Sequence, residues 1–207
     1  MKQNTKTHRM KYCISFFLMI YGLTSIAQNN SQAYIDSLKD YRNNYIQSHE
    51  VVKGNDKQFL HFYPINPAYR VSCKVDRITN GKWFQMSASG KEKQIYRKYG
   101  RLTFAIHDTI LHLYVYQSQS LMTNNEYKDY LFIPFTDNGS GNDSYGGGRY
   151  LECFISDIKN NQLILDFNKA YNPYCAYTTG YNCPIPPREN DLPILIGAGE
   201  KNYGKPH

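Results

Sequence analysis

The sequence predicts a mainly β protein: an antiparallel β-barrel or sandwich-like single domain preceded by one N-terminal amphipathic helix. Short apolar runs with strand character follow one another along most of the chain and are separated by turns that contain Asn, Gly or Pro. The chain also contains 20 tyrosines, and tyrosine is enriched in strands. We expect the helix over residues 28–49 and the β domain over residues 50–207.

The helix is expected in the stretch SQAYIDSLKDYRNNYIQS. Tyr34, Leu38, Tyr41 and Tyr45 recur there at the spacing of one helical face, and Ser31 is placed to cap the first turn. A helix with one apolar face packs against a neighbouring element. We therefore interpret it as a packing element and not as part of a cofactor site.

Several short runs after the helix have strand character. They are QFLHFYPI, YRVSCKVDRI, KWFQMSAS, KQIYRKYG, RLTFAIH, TILHLYVYQS, DYLFIPF, RYLECFIS, NQLILDFN and LPILIGAGEK. The segment DIKNN between RYLECFIS and NQLILDFN predicts a hairpin that pairs these two strands. The segment between NQLILDFN and LPILIGAGEK is rich in Pro, Tyr and Asn and is expected to be irregular. We find no internal repeat and no domain boundary.

Residues 1–27 have the layout of a secretory signal peptide. The head carries basic residues and no acids, at Lys2, Lys6, Arg9 and Lys11, and an uncharged apolar stretch ends in Ser25-Ile26-Ala27. A membrane anchor is the alternative, but the apolar stretch is shorter than the ~20 residues that a span needs. We therefore expect cleavage before Gln28 and export of the mature protein to the periplasm or the extracellular space. No later stretch is apolar enough to span a membrane.

The charge of the mature chain gives little reason to expect a nucleic-acid partner. The whole chain has 24 basic and 17 acidic residues and a net charge of +7; removing the four basic residues of the leader leaves 20 basic residues and a net charge of +3. Domains that bind nucleic acid are usually more basic, with Lys and Arg gathered in one patch. The sequence also lacks a P-loop, a G-x-S-x-G elbow and an H-E-x-x-H pair, so no cofactor is expected.

The cysteines of the mature chain fall into two groups. Cys175 and Cys183 enclose the short polar loop CAYTTGYNC and are the expected disulfide pair of an exported protein. A metal site is the weaker alternative, because two thiolates at this spacing lack the C-x2–4-C pattern and a nearby His pair. Cys73 and Cys153 alternate in step with apolar neighbours, so both are expected to point into the core.

A glycine-rich loop leads into a strand that begins with arginine, in the stretch NGSGNDSYGGGRYLEC. The glycines permit positive φ and let backbone amides approach a ligand closely. Arg149 then offers a planar fork suited to a carboxylate or phosphate. A ligand-binding guanidinium is expected to lie near Asp166 or Asn168, within reach of solvent. The alternative is structural: Arg149 bonds to Asp137, Asp143 or Asp166 and holds the loop.

Three blocks of the chain resemble the DUF1684 family. They are LFIPFTDNGSGNDSYGGGRYLE, LDFNKAYNPYCAY and CPIPPRENDLPILIGAGEK, in the family's order. The resemblance covers residues 50–203, and the upstream stretch VVKGNDKQFLHFYPINPAYRV is similar to the family's more variable front part. It implies a shared architecture and a shared site, without an established reaction. One departure is Ser144, which stands between Asp143 and Tyr145 where the family usually has a threonine.

The second of these blocks places polar side chains where a strand ends. Asp166 and Asn168 are two residues apart, so in a strand they point to the same face. There they can orient a ligand or cap irregular backbone. Asn172 precedes a proline and is expected to form local hydrogen bonds. A calcium site is a further alternative without EF-hand spacing, built from Asp137, Asn138, Asp143 and Asp166.

These features support three functional hypotheses. The first is an exported domain that binds a small polar or anionic ligand, with contacts from Tyr145, Gly147, Gly148, Arg149, Asn168 and Tyr171. The second is a hydrolase or lyase that uses carboxylates as acid and base, with the candidates Asp137, Asp166, Glu189 and Glu200. Glu189 or Glu200 fits that role if burial raises its pKa toward neutrality. The third is a structural module for envelope assembly, favoured if the corner around Arg149 is occupied by its own salt bridges.

Overall fold

The structure is a computed structural model and describes residues 31–205. The predicted signal peptide and the expected cleavage site lie outside the described residues. One helix, α1, spans residues 31–48, and eight strands follow it. The described chain divides between Tyr41 and Arg42 into two compact units. The first consists of helix residues 31–41, and the second contains all eight strands. No helix of residues 31–205 is both long enough and apolar enough to cross a bilayer.

The strands form one sheet. They are β1 (Arg70–Arg77), β2 (Trp83–Met86), β3 (Gln94–Ile106), β4 (Thr109–Ser118), β5 (Tyr130–Asp137), β6 (Arg149–Phe154), β7 (Gln162–Asp166) and β8 (Asp191–Leu192). The order is β6-β5-β4-β3-β1-β7, with β2 paired to β3 and β8 paired to β5 outside this path. Every pairing is antiparallel except the short parallel contact of β5 with β8. The mainly β, antiparallel fold class predicted from the sequence is confirmed.

Some strand predictions differ from the structure in extent. The stretch QFLHFYPI contains the end of a 3-10 helix at Gly54–Phe59 and an isolated bridge between Phe62 and Glu200. The runs KQIYRKYG and RLTFAIH form the single strand β3, because the irregularity between Lys98 and Gly100 is a β-bulge and not a turn. The stretch LPILIGAGEK contributes only the end of β8.

The hairpin predicted between β6 and β7 is wrong. These strands lie at opposite edges of the sheet, where β6 pairs with β5 and β7 pairs with β1. The turn itself is present, since Asn160 and Asn161 have φ of 51° and 58° and Lys159 bridges to Gln162. The Asn161 carbonyl accepts a hydrogen bond of 2.8 Å from the Val75 N–H. The turn before β7 is thus bonded to β1, the strand with which β7 pairs although the two are far apart in the sequence.

The main hydrophobic core lies on one face of the sheet. Alternate residues of a strand point to opposite faces, and the aliphatic side chains of β1, β3, β4, β5, β6 and β7 gather on this face. Leu151 on β6 and Leu163 on β7 belong to the same cluster although their strands are at opposite edges. The sheet therefore curls into a half-barrel around this core.

The free cysteines belong to the main core, as predicted. Cys73 and Cys153 are buried and carry free thiols. Burial raises the pKa of each thiol to about 12. Both are therefore protonated at physiological pH and behave as small apolar side chains, because the thiolate is the reactive form of cysteine.

The opposite face of the sheet is aromatic, and we call it the tyrosine face. Its members are the buried residues Met86, Tyr96, Tyr116, Phe132 and Tyr150 and the half-buried residues Phe84, Tyr114, Tyr130 and Tyr171. The ring centroids of Phe132 and Tyr150 are 4.7 Å apart, and those of Tyr150 and Tyr171 are 5.9 Å apart. Both pairs meet edge to face, the arrangement that aromatic quadrupoles favour.

Candidate functional site

The glycine-rich loop between β5 and β6 packs against its own chain. Gly148 has a φ of +84°, which favours glycine, and a Cβ there would lie 2.6 Å from the Phe135 carbonyl oxygen. A Cβ on Gly147 would collide with the ring of Tyr145. The Tyr145 hydroxyl donates to the Cys175 carbonyl at 3.4 Å. The close backbone approach is therefore made to protein groups, and ligand roles for these residues stay predictions.

Arg149 lies inside the protein with no exposed surface. Its Nη2 forms a salt bridge of 3.2 Å with Asp137 Oδ2 and donates to the Ile196 carbonyl at 2.9 Å. Its Nη1 donates to the carbonyls of Ala198 and Glu200. Burial lowers the pKa of the guanidinium, and the Asp137 carboxylate opposes this effect. Arg149 thus fastens residues 196–200 to the start of β6.

The head of Arg149 is not where the sequence analysis placed a ligand-binding guanidinium. It contacts Asp137, one of the predicted structural partners, instead of lying near Asp166 or Asn168 within reach of solvent. Asp166 Oδ1 accepts hydrogen bonds from the backbone N–H and Nδ2 of Asn168, both at 3.0 Å. Asn168 bonds in turn to the backbone N–H and carbonyl of Asn66. These contacts favour the structural interpretation of all three side chains.

The predicted disulfide between Cys175 and Cys183 is present, with Cα atoms 6.3 Å apart. The loop that it closes docks beside β2, because the Cys183 N–H donates to Ser89 Oγ at 2.9 Å and Ala88 bridges to Pro184. Within residues 31–205, no group of three or more His, Cys, Asp or Glu side chains is arranged to hold a metal ion. The pair is therefore a disulfide and not the metal site that was the alternative.

The pKa of Glu189 is not raised toward neutrality, as a role in acid–base catalysis would require. Its Oε1 is 2.9 Å from Lys98 Nζ and accepts a hydrogen bond of 3.2 Å from the Tyr116 hydroxyl. Burial opposes ionisation, but the hydrogen bonds and the positive charge of Lys98 outweigh it and lower the pKa of Glu189. Glu189 is therefore an ionised, paired carboxylate at neutral pH.

The pKa of Glu200, in contrast, is raised toward neutrality. Its side chain has no exposed surface. Its Oε2 accepts hydrogen bonds from the Tyr45 hydroxyl at 3.0 Å and from the Asn172 N–H at 2.9 Å, and its Oε1 accepts one of 2.7 Å from the Tyr177 hydroxyl. Burial raises the pKa of Glu200 to about 7, although these hydrogen bonds act in the opposite direction. Glu200 therefore changes protonation state near neutral pH.

The four candidate carboxylates have different side-chain partners. These are Arg149 for Asp137, Asn168 for Asp166, Lys98 for Glu189, and Tyr45 and Tyr177 for Glu200. Paired acid–base chemistry needs two carboxyl groups that face one substrate. In this structure Asp137 is paired with Arg149, and Arg149 also donates to the backbone carbonyl of Glu200, whereas Glu189 is paired with Lys98.

A carboxylate that the sequence analysis did not select borders the tyrosine face. The exposed Glu152 on β6 accepts hydrogen bonds at Oε2 from the hydroxyls of Tyr130 (2.8 Å) and Tyr171 (3.2 Å). Tyr171 reaches it because Tyr150 and Tyr171 exchange backbone hydrogen bonds of 2.8 and 3.1 Å at the edge of β6. On β5, Phe132 is the cross-strand partner of Glu152. The fold thus surrounds an exposed carboxylate with aromatic rings.

The alternation of residues along β5 and β6 predicts part of this arrangement around Glu152. Tyr130 and Phe132 on β5, and Tyr150 and Glu152 on β6, are each two residues apart and so share a face. Of this group, the sequence predicts a ligand contact only for Tyr171. It does not predict the others, because adjacency of β5, β6 and residue 171 in space cannot be read from the sequence.

Comparison with known proteins identifies the family of this chain. The family model of DUF1684, described as a protein of unknown function, matches residues 57–201. The chain belongs to the DUF1684 family. The resemblance stated from the sequence blocks is therefore confirmed. A comparison with curated proteins found no match.

This DUF1684 chain is similar over most of its length to a solved structure described as that of an uncharacterized protein. It is the solution NMR structure of an uncharacterized protein from Haloarcula marismortui, with 26% sequence identity and a TM-score of 0.62. The alignment covers 84% of this chain and 96% of that chain. The Arg149–Asp137 pair, the disulfide, Glu200 and the tyrosine face all lie within the residues that match the DUF1684 model, whereas α1 precedes them.

Proposed function

We propose that this DUF1684 protein is an exported domain that binds a small polar ligand, such as a sugar, on the tyrosine face. The observation that carries the proposal is the exposed Glu152 carboxylate, which the hydroxyls of Tyr130 and Tyr171 hold among aromatic rings. A sugar has apolar C–H faces that pack on rings and hydroxyls that donate to a carboxylate. Ligand sites typically combine aromatic walls with a few placed polar groups in this way.

The accessibility of these rings supports the proposal. Phe84, Tyr114, Tyr130 and Tyr171 are half-buried, so each presents part of its surface to solvent. Phe154 at the end of β6 is 41% exposed and lies with its ring centroid 6.2 Å from that of Tyr130. Contiguous exposed aromatic surface beside polar groups is typical of binding sites on soluble proteins.

Two features support the exported location. The leader carries the charge and apolar pattern of a signal peptide. The Cys175–Cys183 disulfide fits an oxidising compartment outside the cytoplasm.

A binding experiment with an aromatic variant and a matched control tests the ligand proposal. Neutral sugars are titrated into the exported form of the protein by isothermal calorimetry and by NMR. We expect Tyr130→Ala to weaken binding about tenfold or more, because stacking on the ring is lost. Tyr181→Ala removes a tyrosine that is 42% exposed and lies outside the tyrosine face, and it should leave affinity unchanged. Equal effects of the two variants, or no binding of any sugar, would overturn the proposal.

A second function, acid–base catalysis by a hydrolase or lyase, is favoured by one observation. Glu200 is buried and its pKa lies near neutrality, as a general acid or base requires. The test is a panel of aryl glycosides and aryl esters, with wild type and Glu200→Gln compared at matched folded fraction. A catalytic Glu200 predicts a turnover that changes with pH around about 7 and is lost in the variant. Turnover that survives Glu200→Gln excludes that role.

A structural role in envelope assembly is favoured by the occupied corner around Arg149. Its guanidinium is paired with Asp137 and bonded to three carbonyl groups. This role predicts that the wild-type melting temperature is unchanged by every sugar, sugar acid and phosphate tested. A shift with any one of these compounds counts against a purely structural role.

A further inference from the structure

We propose that the ligand of the tyrosine face carries a positive charge, as a primary or quaternary ammonium group, and that Glu152 binds this group. The inference rests on the proposed function and names the ligand class of the same site. The sequence predicts a small polar or anionic ligand. The anionic alternative depends on Arg149, which is buried and paired with Asp137.

The charges at the tyrosine face favour a cation. Lys98 Nζ is 2.9 Å from Glu189 Oε1, so these two opposite charges offset each other. Glu152 is hydrogen-bonded to two neutral tyrosine hydroxyls, which leaves its negative charge without a cationic partner among the salt bridges of residues 31–205. The face thus has one uncompensated negative charge. An anionic ligand would be repelled there, and a cationic one attracted.

Glu152 has the capacity to accept further hydrogen bonds. A carboxylate has two oxygens and about four acceptor positions. The hydroxyls of Tyr130 and Tyr171 both bond to Oε2. The N–H groups of a primary ammonium ligand can therefore bond to Oε1 without displacing either tyrosine. A quaternary ammonium has no N–H group and is attracted by the negative charge alone. The two hydroxyls hold the carboxylate in place for either contact.

The rings around Glu152 add a second attraction for a cation. The faces of aromatic rings are negative, and an ammonium group within about 6 Å of a ring centroid is attracted to them. The half-buried rings of Tyr130 and Tyr171 are bonded to the carboxylate through their hydroxyls, and the exposed ring of Phe154 lies with its centroid 6.2 Å from that of Tyr130. The same face already holds one ammonium group in this way, since Lys98 Nζ stands 4.1 Å from the centroid of Tyr114. Rings together with a carboxylate suit an organic cation better than a neutral or anionic ligand.

The experiment uses three sugars of similar shape and different charge, with a non-sugar cation as a fourth probe. Glucosamine, N-acetylglucosamine and glucuronate are titrated into the exported protein below neutral pH, where the amine of glucosamine is protonated, and choline is titrated separately. We expect glucosamine to bind about tenfold more tightly than N-acetylglucosamine and glucuronate to bind most weakly. The advantage of glucosamine should shrink as salt is added, because salt screens the attraction of exposed charges.

Two variants connect the charge preference to Glu152. Glu152→Gln keeps the shape and removes the charge, so the ratio of glucosamine to N-acetylglucosamine affinity should fall to near one. Glu126→Gln removes an exposed carboxylate outside the tyrosine face and should leave the ratio unchanged. A wild-type ratio near one, or a ratio that Glu152→Gln does not alter, would overturn the cationic ligand.

The outcomes separate this inference from the proposed function. Binding of all three sugars with equal affinity, weakened by Tyr130→Ala, supports the sugar-binding domain and overturns the cationic ligand. Binding of choline without any sugar supports the cation and overturns the sugar. No binding of any of the four probes overturns both.

Discussion

Arg149 and Asp137 form an ion pair inside the protein, with Nη2 3.2 Å from Oδ2 and no exposed surface on either side chain. Asp137 ends β5 and Arg149 begins β6, so the pair closes the base of the glycine-rich loop. Asp137 Oδ2 also accepts a hydrogen bond of 2.7 Å from the Ile196 N–H. The pair therefore joins the loop, strands β5 and β6 and residues 196–200 in one network.

Substitution of Arg149 is expected to lower the free energy of unfolding strongly. Arg149→Ala leaves the Asp137 carboxylate buried without its charge partner, at a cost of about 3–5 kcal/mol. Arg149→Lys keeps the charge but cannot reproduce the fork that reaches a carboxylate and three carbonyl groups. Urea denaturation measures both changes. The control is Arg101→Lys, because Arg101 forms an exposed pair with Asp76 and should have little effect. Near-wild-type stability of Arg149→Lys would contradict the structural role.

Gly148 is expected to be intolerant of a Cβ. Gly148→Ala places a methyl group 2.6 Å from the Phe135 carbonyl oxygen at a φ of +84°. Gly180→Ala is the matched control, because Gly180 has a φ of +92° and no atom within 4 Å of the added Cβ. Both variants bear the strain of positive φ, about 1–2 kcal/mol. Gly148→Ala should lose about 1–3 kcal/mol more through the clash, measured by urea denaturation. Equal losses would show that packing under the loop is looser than the structure indicates.

Glu200 is expected to make stability fall as pH rises toward and past neutrality. Its pKa is about 7 in the folded protein and 4.5 ordinarily, so the folded state holds the proton more tightly. The resulting stabilisation is complete below about pH 4.5 and is lost as pH rises through about 7. Its size is roughly 3 kcal/mol. Glu200→Gln has no ionisable group at this position, so its stability lacks this pH dependence. Its free energy of unfolding, relative to that of wild type, should therefore rise as pH increases from about 4.5 to about 7.

Urea denaturation across that pH range measures the Glu200 effect. The exposed Glu92 provides the control, since Glu92→Gln should follow the wild-type pH profile. If the free energies of unfolding of Glu200→Gln and wild type differ by the same amount at every pH, the folded and unfolded pKa values of Glu200 are the same.

Export and cleavage are expected to give an N-terminus at or near Gln28. Mass spectrometry of protein isolated from the envelope or the medium should find this terminus. The same peptides, mapped without reductant, should contain Cys175 joined to Cys183, as the structure has them. Intact Met1 protein recovered from the cytoplasm would contradict the export prediction.

The local sequence signals predicted the secondary structure and its class. Period-two alternation identified β1 and β4, because a strand with one buried face must alternate apolar and other residues. The same alternation placed Cys73 and Cys153 in the core. The disulfide followed from two cysteines that enclose a short loop in a chain with an export pattern. Each of these conclusions depends on residues that are close together in the chain.

The sequence by itself thus determined the antiparallel class, the helix, the disulfide pair and membership in the DUF1684 family. Only the tertiary structure decided that β6 and β7 lie at opposite edges, that Arg149 is buried against Asp137, and that Glu152 meets Tyr130 and Tyr171. The reason is physical. Periodicity and turn residues act over a few positions, whereas strand order and the partner of a charged side chain depend on contacts between distant segments. Those contacts bury Arg149 and Glu200 and leave Glu152 exposed, although all three are charged side chains in the family's sequence blocks.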